Sequence, residues 1–409
     1  MHPYKLNRRT LLGGTLGGFF ALAMRNGAST AFGDQPTGVA KRCLVLWMNG
    51  GPSQFETFDP KPGTATGGQG KSISTSAGDT RISELLPNIA RQMHELSILR
   101  NLTSSEGEHL RAQYYLHTGY SFVPGFPRPA LGSVVSHETP ATDFPRYVTI
   151  FSPGYGPAYM GPEHAPFSIE DPQEALGLMR SIRRRQRRIS LLQELGAPFD
   201  AEHPEQDLER RRAMISRIEK LVSTPFVEAL DLQREPQPMR ARYGDHSFAQ
   251  GCLLARRLLE RGVNFVEVQH DGWDTHANNF RATTELCGAI DRPWTALMED
   301  LRSSGLLDET LVVWMGEFGR TPNINANRGR DHFPRATPAV VGGGGLAGGR
   351  VIGHTNRTGT EIEGESHSVA DLFATIFQAL GIAPDQQFTT SFDSPTSATD
   401  GGKVIAGLG

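Results

Sequence analysis

Short apolar runs that alternate with helical patterns constrain this chain more than any other feature of its sequence. These runs are continuous and rich in β-branched or aromatic residues. They occupy residues 43–49, 147–151, 264–268, 311–315 and 339–341. An uninterrupted apolar run fits a strand that is buried on both faces, as in a parallel sheet. The alternation therefore predicts a three-layer α/β/α sandwich around a mostly parallel central sheet.

Two helical stripes illustrate the segments between the predicted strands. One has apolar residues at helical spacing from Leu286 to Leu301, directly before the run at residues 311–315. The other begins near Val369 and carries its own boundary signals. Ser368 and Asp371 have the spacing of a capping box, and a glycine follows the last apolar position.

The first 33 residues predict an export signal rather than part of the fold. Lys5, Arg8 and Arg9 form a basic start, and the string NRRTLLGG contains the twin arginine of a Tat signal. The apolar run at residues 11–24 is diluted by glycine and is too short for a stable membrane span. The alternatives are a disordered basic N-terminus and an uncleaved anchor. We expect a periplasmic or extracellular protein that uses the twin-arginine translocation machinery, with its mature domain at residues 34–409.

Composition excludes two classes of protein. The chain holds 41 Lys and Arg against 44 Asp and Glu, so its formal net charge is -3. Removing residues 1–33 takes away four basic residues and no acid, which leaves 37 minus 44, or -7. This balance argues against nucleic-acid binding through bulk charge. Three scattered cysteines in a chain of this length argue against a small disulfide-stapled module, and we expect them to be buried thiols.

A segment at about residues 169–240 differs from the rest because it is rich in charged residues and its pattern predicts helices. Six arginines crowd its first part: Arg180, Arg183, Arg184, Arg185, Arg187 and Arg188. One interpretation is a patch that binds anionic polymers or lipid headgroups. The other is a solvated helical hairpin whose arginines pair with nearby acids such as Glu194 and Glu209. We favour the second interpretation.

The first cluster of candidate functional residues is HDGWDTHANN at residues 270–279, directly after a predicted strand. Asp274 and His276 supply one carboxylate and one imidazole within three positions. This combination suits Zn, Mn or a similar divalent ion. The alternative is an Asp–His hydrogen bond that orders the loop.

Two further clusters surround the last predicted strands. WMGEFGRTP contains Glu317 where the strand breaks into glycine, and Arg320 is placed to clamp an anion or to pair with Glu317. RGRDHFP contains a second carboxylate–imidazole pair, Asp331 and His332. Ligands of open α/β sheets sit beyond the carboxyl ends of the strands, so the coincidence favours one shared metal site over three structural pairs. Its candidate ligands are Asp274, His276, Glu317, Asp331 and His332.

A fourth cluster, SSEGEHLRAQYYLHTGY at residues 104–120, opens a predicted helix. His109 and Arg111 lie near the start of that helix. The positive end of the helix dipole favours a nucleophile or an anionic ligand there. The alternative is an ordinary helix start with His109 partly exposed.

Four motifs together resemble an exported bacterial family of sulfatase-like proteins in the alkaline phosphatase superfamily, a family catalogued as a domain of unknown function. The motifs are MNGGPSQFETFDPKP, GWDTHANNF, WMGEFGRTP and GRDHFP. The resemblance extends over nearly all of the chain beyond the export signal. It implies an alkaline phosphatase-like sheet between helical layers and a metal centre at the strand ends. It also implies hydrolysis of sulfate or phosphate esters with one or two divalent ions.

The resemblance assigns roles to individual residues. Asp274 and His276 resemble the Asp…His ligand pair of the superfamily. Glu317 falls where the superfamily has an Asp at the end of a strand. His332 resembles the histidine that precedes the next strand.

Two positions depart from the superfamily pattern. Asn49 stands where the first strand usually ends in a ligand Asp, and a neutral oxygen would hold a second cation more weakly. His109 occupies the slot of the usual nucleophile, where no Ser or Cys stands. His109 is therefore a candidate ligand, acid–base group or covalent nucleophile.

The sequence thus predicts an exported hydrolase of sulfate or phosphate esters that depends on a divalent ion, with Zn, Mn, Ca and Mg left open. Its candidate catalytic residues are His109, Asn49, Arg111 and Arg320. The expected partner is an anionic ester such as a sulfated or phosphorylated saccharide. A non-catalytic periplasmic or surface binding protein that retains the fold is the main alternative. A further alternative is a protein that docks on anionic polysaccharide through the arginine-rich segment.

Overall fold

The computed structural model describes residues 40–140, 144–184 and 224–409, which belong to one compact unit. The predicted export signal and residues 185–223 of the arginine-rich segment lie outside the described residues. Both interpretations of that segment therefore stay predictions; of its arginines, Arg180 forms an ion pair with Asp231 at 2.6 Å. No helix within the described ranges is long and apolar enough to cross a membrane.

The described residues form strands, α-helices and short 3-10 helices. The strands are β1 (Arg42–Met48), β2 (Ser72–Ser74), β3 (Arg81–Ser83), β4 (Leu96–Thr103), β5 (Tyr147–Ile150), β6 (Phe167–Ile169), β7 (Phe265–His270), β8 (Thr310–Met315), β9 (Gly319–Arg320), β10 (His332–Phe333), β11 (Thr337–Gly342), β12 (Val351–Ile352), β13 (His354–Thr355), β14 (Ile362–Glu363), β15 (His367–Ser368), β16 (Gln387–Thr389) and β17 (Pro395–Ser397). The α-helices are α1 (His109–Thr118), α2 (Leu131–Glu138), α3 (Pro172–Arg184), α4 (Thr224–Leu230), α5 (Gln237–Tyr243), α6 (Ser247–Glu260), α7 (Asn279–Ser303) and α8 (Val369–Ala379). Short 3-10 helices occupy Gln54–Glu56, Ile89–Glu95, Ala158–Met160, Pro162–His164, Leu232–Arg234 and Leu306–Glu309.

The central sheet has nine strands in the order β12-β4-β11-β8-β1-β7-β5-β6, with β15 also paired to β4. Strand β1 is parallel to both of its neighbours, β7 and β8. Strand β11 is antiparallel to both β8 and β4, and the other pairings of this sheet are parallel. The prediction of a mostly parallel sheet is confirmed, and β11 is its reversed strand.

Both faces of the sheet are covered, which explains the continuous apolar runs of the sequence. Alternate side chains of β1 enter two different cores: Leu44, Leu46 and Met48 the first, and Cys43, Val45 and Trp47 the second. Helices α3 to α7 contribute buried residues to the first core. Helices α1, α2 and α8 contribute to the second. The predicted three-layer α/β/α sandwich is therefore confirmed.

Local signals placed several of these elements correctly. The five predicted runs coincide with β1, β5, β7, β8 and β11. Helix α8 begins with the predicted capping box, in which the Ser368 Oγ and the Asp371 carboxylate each accept a hydrogen bond from the other residue's backbone N–H. The three cysteines are buried and free, as expected.

The apolar patterns of the sequence did not predict β4, which pairs with β11, β12 and β15 in the central sheet. Its run is interrupted by Arg100 and Asn101, which break the apolar pattern. Both polar side chains bond backbone carbonyls: Arg100 donates to that of Phe58 at 2.8 Å, and Asn101 donates to that of Glu365 at 2.8 Å. Their partners lie far away in the sequence, so no local pattern indicates that these positions belong to a strand.

Candidate metal centre

One edge of the central sheet collects the predicted site residues. Asn49, Asp274 and Glu317 follow the carboxyl ends of β1, β7 and β8. Because β11 is reversed, the segment ahead of it, with His332, lies at that same edge. Helix α1, which comes after β4, begins there with His109. Side chains from five separate segments therefore meet beyond the strand ends, where ligands of such sheets bind.

Three potential ligand atoms form a tight triangle at this edge. The Asp274 Oδ1 lies 3.1 Å from the His276 Nε2 and 3.3 Å from the His332 Nε2. The two Nε2 atoms are 2.9 Å apart. His109 approaches from the other side, with its Nε2 3.4 Å from the Asp274 Oδ2. Ligand atoms of His109, Asp274 and His332 all lie within 4.8 Å of one another.

The partners of the two imidazoles show that this triangle fits a cation. The His276 Nδ1 faces the Asp331 Oδ1 at 2.7 Å, and the His332 Nδ1 faces the Gly107 carbonyl oxygen at 2.8 Å. Both oxygens only accept hydrogen bonds, so each ring carries a proton on Nδ1, and a neutral ring turns the lone pair of its Nε2 toward the triangle. The two Nε2 atoms and the carboxylate oxygen are close enough to share either a proton, as in a hydrogen bond between the two rings, or a divalent ion. Imidazoles oriented through their second nitrogen are typical of metal ligands.

Arg320 lies at the site, but its role differs from the two that its position suggested. Its guanidinium is fully buried and donates to the carbonyls of Gly51 at 2.8 Å, Trp273 at 3.2 Å and Gly50. It forms its ion pair with the Asp274 Oδ1 at 2.7 Å, not with Glu317. Because its donors bond protein oxygens, Arg320 holds Asp274 in place and is not open to an anion. The Arg320 guanidinium also lowers the pKa of Asp274 against the opposing effect of burial.

Glu317 forms a second, buried part of the site beside the triangle. Its side chain is fully buried, and both of its oxygens accept from the Gly50 N–H, at 2.9 and 3.0 Å. Gly50 has a φ of +116°, and a Cβ there would lie 2.4 Å from the backbone nitrogen of Asp274, so no larger residue fits. The Glu317 Oε1 also lies 3.0 Å from the His109 Nδ1, and this hydrogen bond raises the pKa of His109.

Asn49 lies next to Glu317 rather than in the triangle. Its Oδ1 accepts from the Gln113 Nε2 at 2.9 Å and from the Trp47 Nε1 at 3.3 Å, and its Nδ2 donates to the Asp271 Oδ1 at 2.8 Å. The Gln113 Nε2 also lies 3.2 Å from the Glu317 Oε1. Gln113 was not singled out from the sequence, although it follows His109 by one helical turn and therefore shares its face of α1.

Asp331 and Arg111 lie farther from the triangle. The side chain of Asp331 is 55% exposed and sits behind His276, where it also accepts from the Asn325 Nδ2 at 3.1 Å. Arg111 is 58% exposed and forms an ion pair with Glu106 at 3.1 Å. This placement makes Asp331 a positioning residue for His276. A role for Arg111 toward an anionic substrate stays a prediction.

Backbone contacts hold the two histidine-bearing loops together. Ala277 and Arg328 form an isolated antiparallel bridge, and the Arg330 N–H donates to the Thr275 carbonyl at 3.1 Å. The Asn325 side chain adds a hydrogen bond to the His276 carbonyl at 3.0 Å. These contacts join segments that follow different strands, and they set the distance between the two imidazoles.

Replacing Asp331 by asparagine is expected to weaken ion binding without changing the ligand set. The amide removes the charge that holds the His276 Nδ1 proton, and loss of such a partner typically costs about 10–100-fold in metal affinity. Competition with a metal-binding dye measures the change. Asp308→Asn, an exposed position ahead of β8, is the matched control. Equal affinities for the two variants would contradict the positioning role.

A half-buried histidine next to the site, His270, is expected to make stability depend on pH. Burial lowers the pKa of His270 to about 4, and its Nδ1 accepts from the Trp273 Nε1 at 3.0 Å. As pH falls below about 6.5, the unfolded chain takes up a proton that the folded chain refuses until about pH 4. The free energy of unfolding therefore decreases through this window, by at most about 1.4 kcal/mol per pH unit from this group.

Urea denaturation with EDTA at pH 7 and pH 4.5 tests this expectation. His270→Gln should lose less stability than the unmodified protein between the two values. The exposed His354→Gln should behave like the unmodified protein. Identical losses in all three proteins would show that His270 does not titrate in this way.

The fold and this site define a class of protein: an α/β sandwich with a candidate metal centre at the carboxyl edge of a mostly parallel sheet. The chain belongs to the family described as "Protein of unknown function (DUF1501)", which matches residues 40–408. No curated protein matched the sequence.

Comparison with solved structures found weak similarities. The PsFucS1 sulfatase from Pseudoalteromonas sp. has a TM-score of 0.41 and 12% identity, over 95% of this chain and 75% of that chain. The lipoteichoic acid synthase LtaP from Listeria monocytogenes has a TM-score of 0.39 and 9% identity, over 85% and 73%. A protein in the alkaline phosphatase superfamily from Vibrio parahaemolyticus has a TM-score of 0.35 and 10% identity, over 88% and 77%.

Proposed function

We propose that this protein is an exported, metal-dependent hydrolase of sulfate or phosphate esters. The observation that carries the proposal is the convergence of one carboxylate and two imidazole nitrogens beside a carboxylate–imidazole pair whose carboxylate is buried. The converging groups belong to Asp274, His276 and His332, and the pair is Glu317 with His109. Hydrolysis of a stable ester is accelerated by a metal ion that acts as a Lewis acid and by a neighbouring residue that transfers a proton.

Asp274, His276 and His332 would hold the ion. When bound, the ion would supply Lewis acidity to an oxygen of the ester. Two imidazoles and one carboxylate form a donor set that suits Zn²⁺ or Mn²⁺ better than Ca²⁺ or Mg²⁺. Three protein ligands also leave a position open for substrate, as catalytic zinc sites do.

His109 would act as the acid–base residue. Its Nδ1 donates to Glu317, so its Nε2 faces the space beside Asp274 and can carry or release a proton there. The hydrogen bond to Glu317 raises the pKa of His109, which favours the protonated ring at a higher pH than usual. A protonated His109 would donate to the leaving oxygen of the ester. Activity that needs this proton is retained at low pH and lost as pH rises through the raised pKa.

Arg320 and Gln113 would position these groups rather than touch the substrate. Arg320 fixes the Asp274 carboxylate from the buried side. Gln113 bridges Asn49 and Glu317 and keeps the buried carboxylate aimed at His109. Such a shell of supporting bonds keeps a reactive group in one orientation.

Export through the twin-arginine pathway is part of the proposal and is supported by the NRRTLLGG string. That pathway moves folded proteins, so the ion would be bound before export. The substrate would be an anionic ester.

The test combines metal analysis of the purified protein with a screen of aryl sulfates and aryl phosphates. His109→Gln is expected to keep the ion and to lower kcat about 100-fold, the low end of the effect of losing an acid–base group. The exposed His354→Gln is the matched control. Turnover that survives His109→Gln unchanged would remove His109 from the mechanism.

A non-catalytic binding protein is the second candidate. Asn49 favours it, because this residue offers only a neutral oxygen and already accepts hydrogen bonds from Gln113 and Trp47. A stoichiometric ion without turnover of any ester would favour this candidate over the hydrolase.

A further inference from the structure

We propose that an apolar strip beside the candidate metal centre binds the apolar portion of the substrate, which makes the substrate an anionic ester of an alcohol with an alkyl chain. The strip consists of Leu110, Tyr114, Phe122, Val123, Phe126 and Phe392. The inference rests on the proposed function, because it assigns the substrate class of that same site.

The strip begins on the helix that carries the acid–base residue. His109 and Gln113 lie one turn apart on the face of α1 that meets Glu317. Leu110 and Tyr114 are the next residues along and are also one turn apart, so they form the neighbouring row on the same helix. Leu110 is 72% exposed. A group bound at His109 therefore has an apolar row directly beside it.

The loop that follows α1 adds apolar side chains that contact this row. The rings of Tyr114 and Phe122 meet edge to face, with their centres 5.3 Å apart. Farther along the loop, Phe126 lies against Phe392 with ring centres 5.4 Å apart. The Val123 carbonyl accepts from the Phe126 N–H at 3.1 Å, which closes the turn between the two ring pairs. Exposed apolar side chains thus lie on α1, on the loop that follows it and on the loop between β16 and β17, which Phe126 contacts.

Hydrogen bonds attach the loop that carries part of the strip to α1 and to β17. The Tyr114 hydroxyl accepts from the Arg128 N–H at 2.7 Å, and the Tyr120 hydroxyl donates to the Ser397 carbonyl at 2.7 Å. The guanidinium of Arg128 lies over the Tyr120 ring, 4.3 Å from its centre. A surface fixed in advance loses little conformational freedom when a ligand binds.

The clustering of exposed apolar groups points to a ligand. Eight large apolar side chains are exposed among the described residues, and five of them belong to the strip. Contiguous exposed patches of this kind mark binding surfaces, whereas single exposed residues need no explanation. The strip offers rings and methyl groups, with the Tyr114 hydroxyl already bonded, so it suits an alkyl chain better than the hydroxyl groups of a sugar. Its start beside His109 and Glu317 favours the substrate's own chain over a membrane surface.

Titration calorimetry with octyl phosphate, kept below its micelle concentration, and with methyl phosphate tests the proposal. Octyl phosphate is expected to bind about tenfold more tightly, which is what burial of about two methylene groups supplies. Phe122→Ser/Phe126→Ser should bring the affinity for octyl phosphate down to that for methyl phosphate and leave methyl phosphate unaffected. Phe122→Ser alone should give an intermediate loss. Leu178→Ser removes an exposed apolar side chain outside the strip and should change neither affinity.

Two outcomes would overturn the strip as a substrate site: equal affinities for the two phosphates, and an octyl preference that persists in the double variant. In the second case, loss of cosedimentation of the double variant with phosphatidylglycerol vesicles would assign the strip to a membrane surface. Failure of the hydrolase proposal gives a different result: no ester is turned over, although octyl phosphate binds through the strip. Turnover of aryl esters without an octyl preference rejects the strip alone.

Discussion

Asp274→Ala is expected to abolish both ion binding and ester hydrolysis. The Asp274 Oδ1 lies within 3.3 Å of the Nε2 atoms of His276 and His332, and it supplies the negative charge of the triangle. Without it, two imidazoles and the buried guanidinium of Arg320 face one another with no anion between them. We expect less than one ion per ten molecules by elemental analysis. We also expect kcat/KM to fall by about 10³-fold or more, because an ion contributes several kcal/mol to transition-state stabilisation.

A second substitution separates loss of the ion from loss of the fold. Asp274→Asn keeps an oxygen that can accept from Arg320 but removes the charge, so this variant should fold normally and still lose the ion. Asp308→Ala, at an exposed carboxylate ahead of β8, should retain both the ion and activity. Full activity of Asp274→Asn at a normal metal content would contradict the assignment of Asp274 as a ligand.

Arg330→Met is expected to cost about 3–5 kcal/mol of unfolding free energy, the effect of leaving a buried charge without its partner. Arg330 is fully buried, and its Nη2 lies 2.9 Å from the Oε1 of Glu56, which is itself 2% exposed. Its guanidinium also donates to the carbonyls of Thr321 at 2.9 Å, Pro322 at 2.8 Å and Thr66 at 2.7 Å. Removing it leaves a carboxylate and three carbonyls without their donor.

Urea denaturation measures this cost, and an exposed ion pair provides the comparison. Arg281 pairs with Glu285 on the surface of α7 at 3.1 Å, with side chains 85% and 68% exposed, so Arg281→Met should cost less than about 1 kcal/mol. In Glu56→Gln/Arg330→Met both charges are gone, and the loss should be smaller than the sum of the two single losses. If Arg330→Met and Arg281→Met lowered the free energy of unfolding equally, the buried pair of Arg330 and Glu56 would not stabilise the fold more than an exposed pair does.

Arg320 and Arg330 show that the burial of a charged side chain could not be predicted from the sequence. Both residues stand in glycine-containing motifs near acids, and the position of Arg320 suggested contact with an anion or with Glu317. The structure buries both guanidinium groups and uses their donors on backbone carbonyls. Spacing along the chain does not reveal which residues will be buried, because burial depends on loops contributed by distant segments.

Asp274, His276 and His332 show the opposite case, because three groups that their positions in the sequence predicted to be close lie within 3.3 Å of one another in the structure. Each lies in a short loop beside a predicted strand, and strand ends at one edge of a sheet are close in space. Glu317 was placed at the same edge for the same reason, although its partners are His109 and Gly50 rather than the triangle. The sequence shows which residue types follow the strands, but it does not show which of these side chains contact one another.

The sequence by itself determined the buried strands, the cap of α8, the isolation of the cysteines and the kinds of donor atom available at the strand ends. These properties depend on residue type and on neighbours within a few positions. Only the tertiary structure decided that β11 runs in reverse and so brings His332 to the site, that Asp331 stands behind His276, and that Arg320 is enclosed. The physical reason is that each of these features depends on contacts between segments that are far apart along the chain. Such contacts form, and exclude solvent, only when the layers of the sandwich pack together.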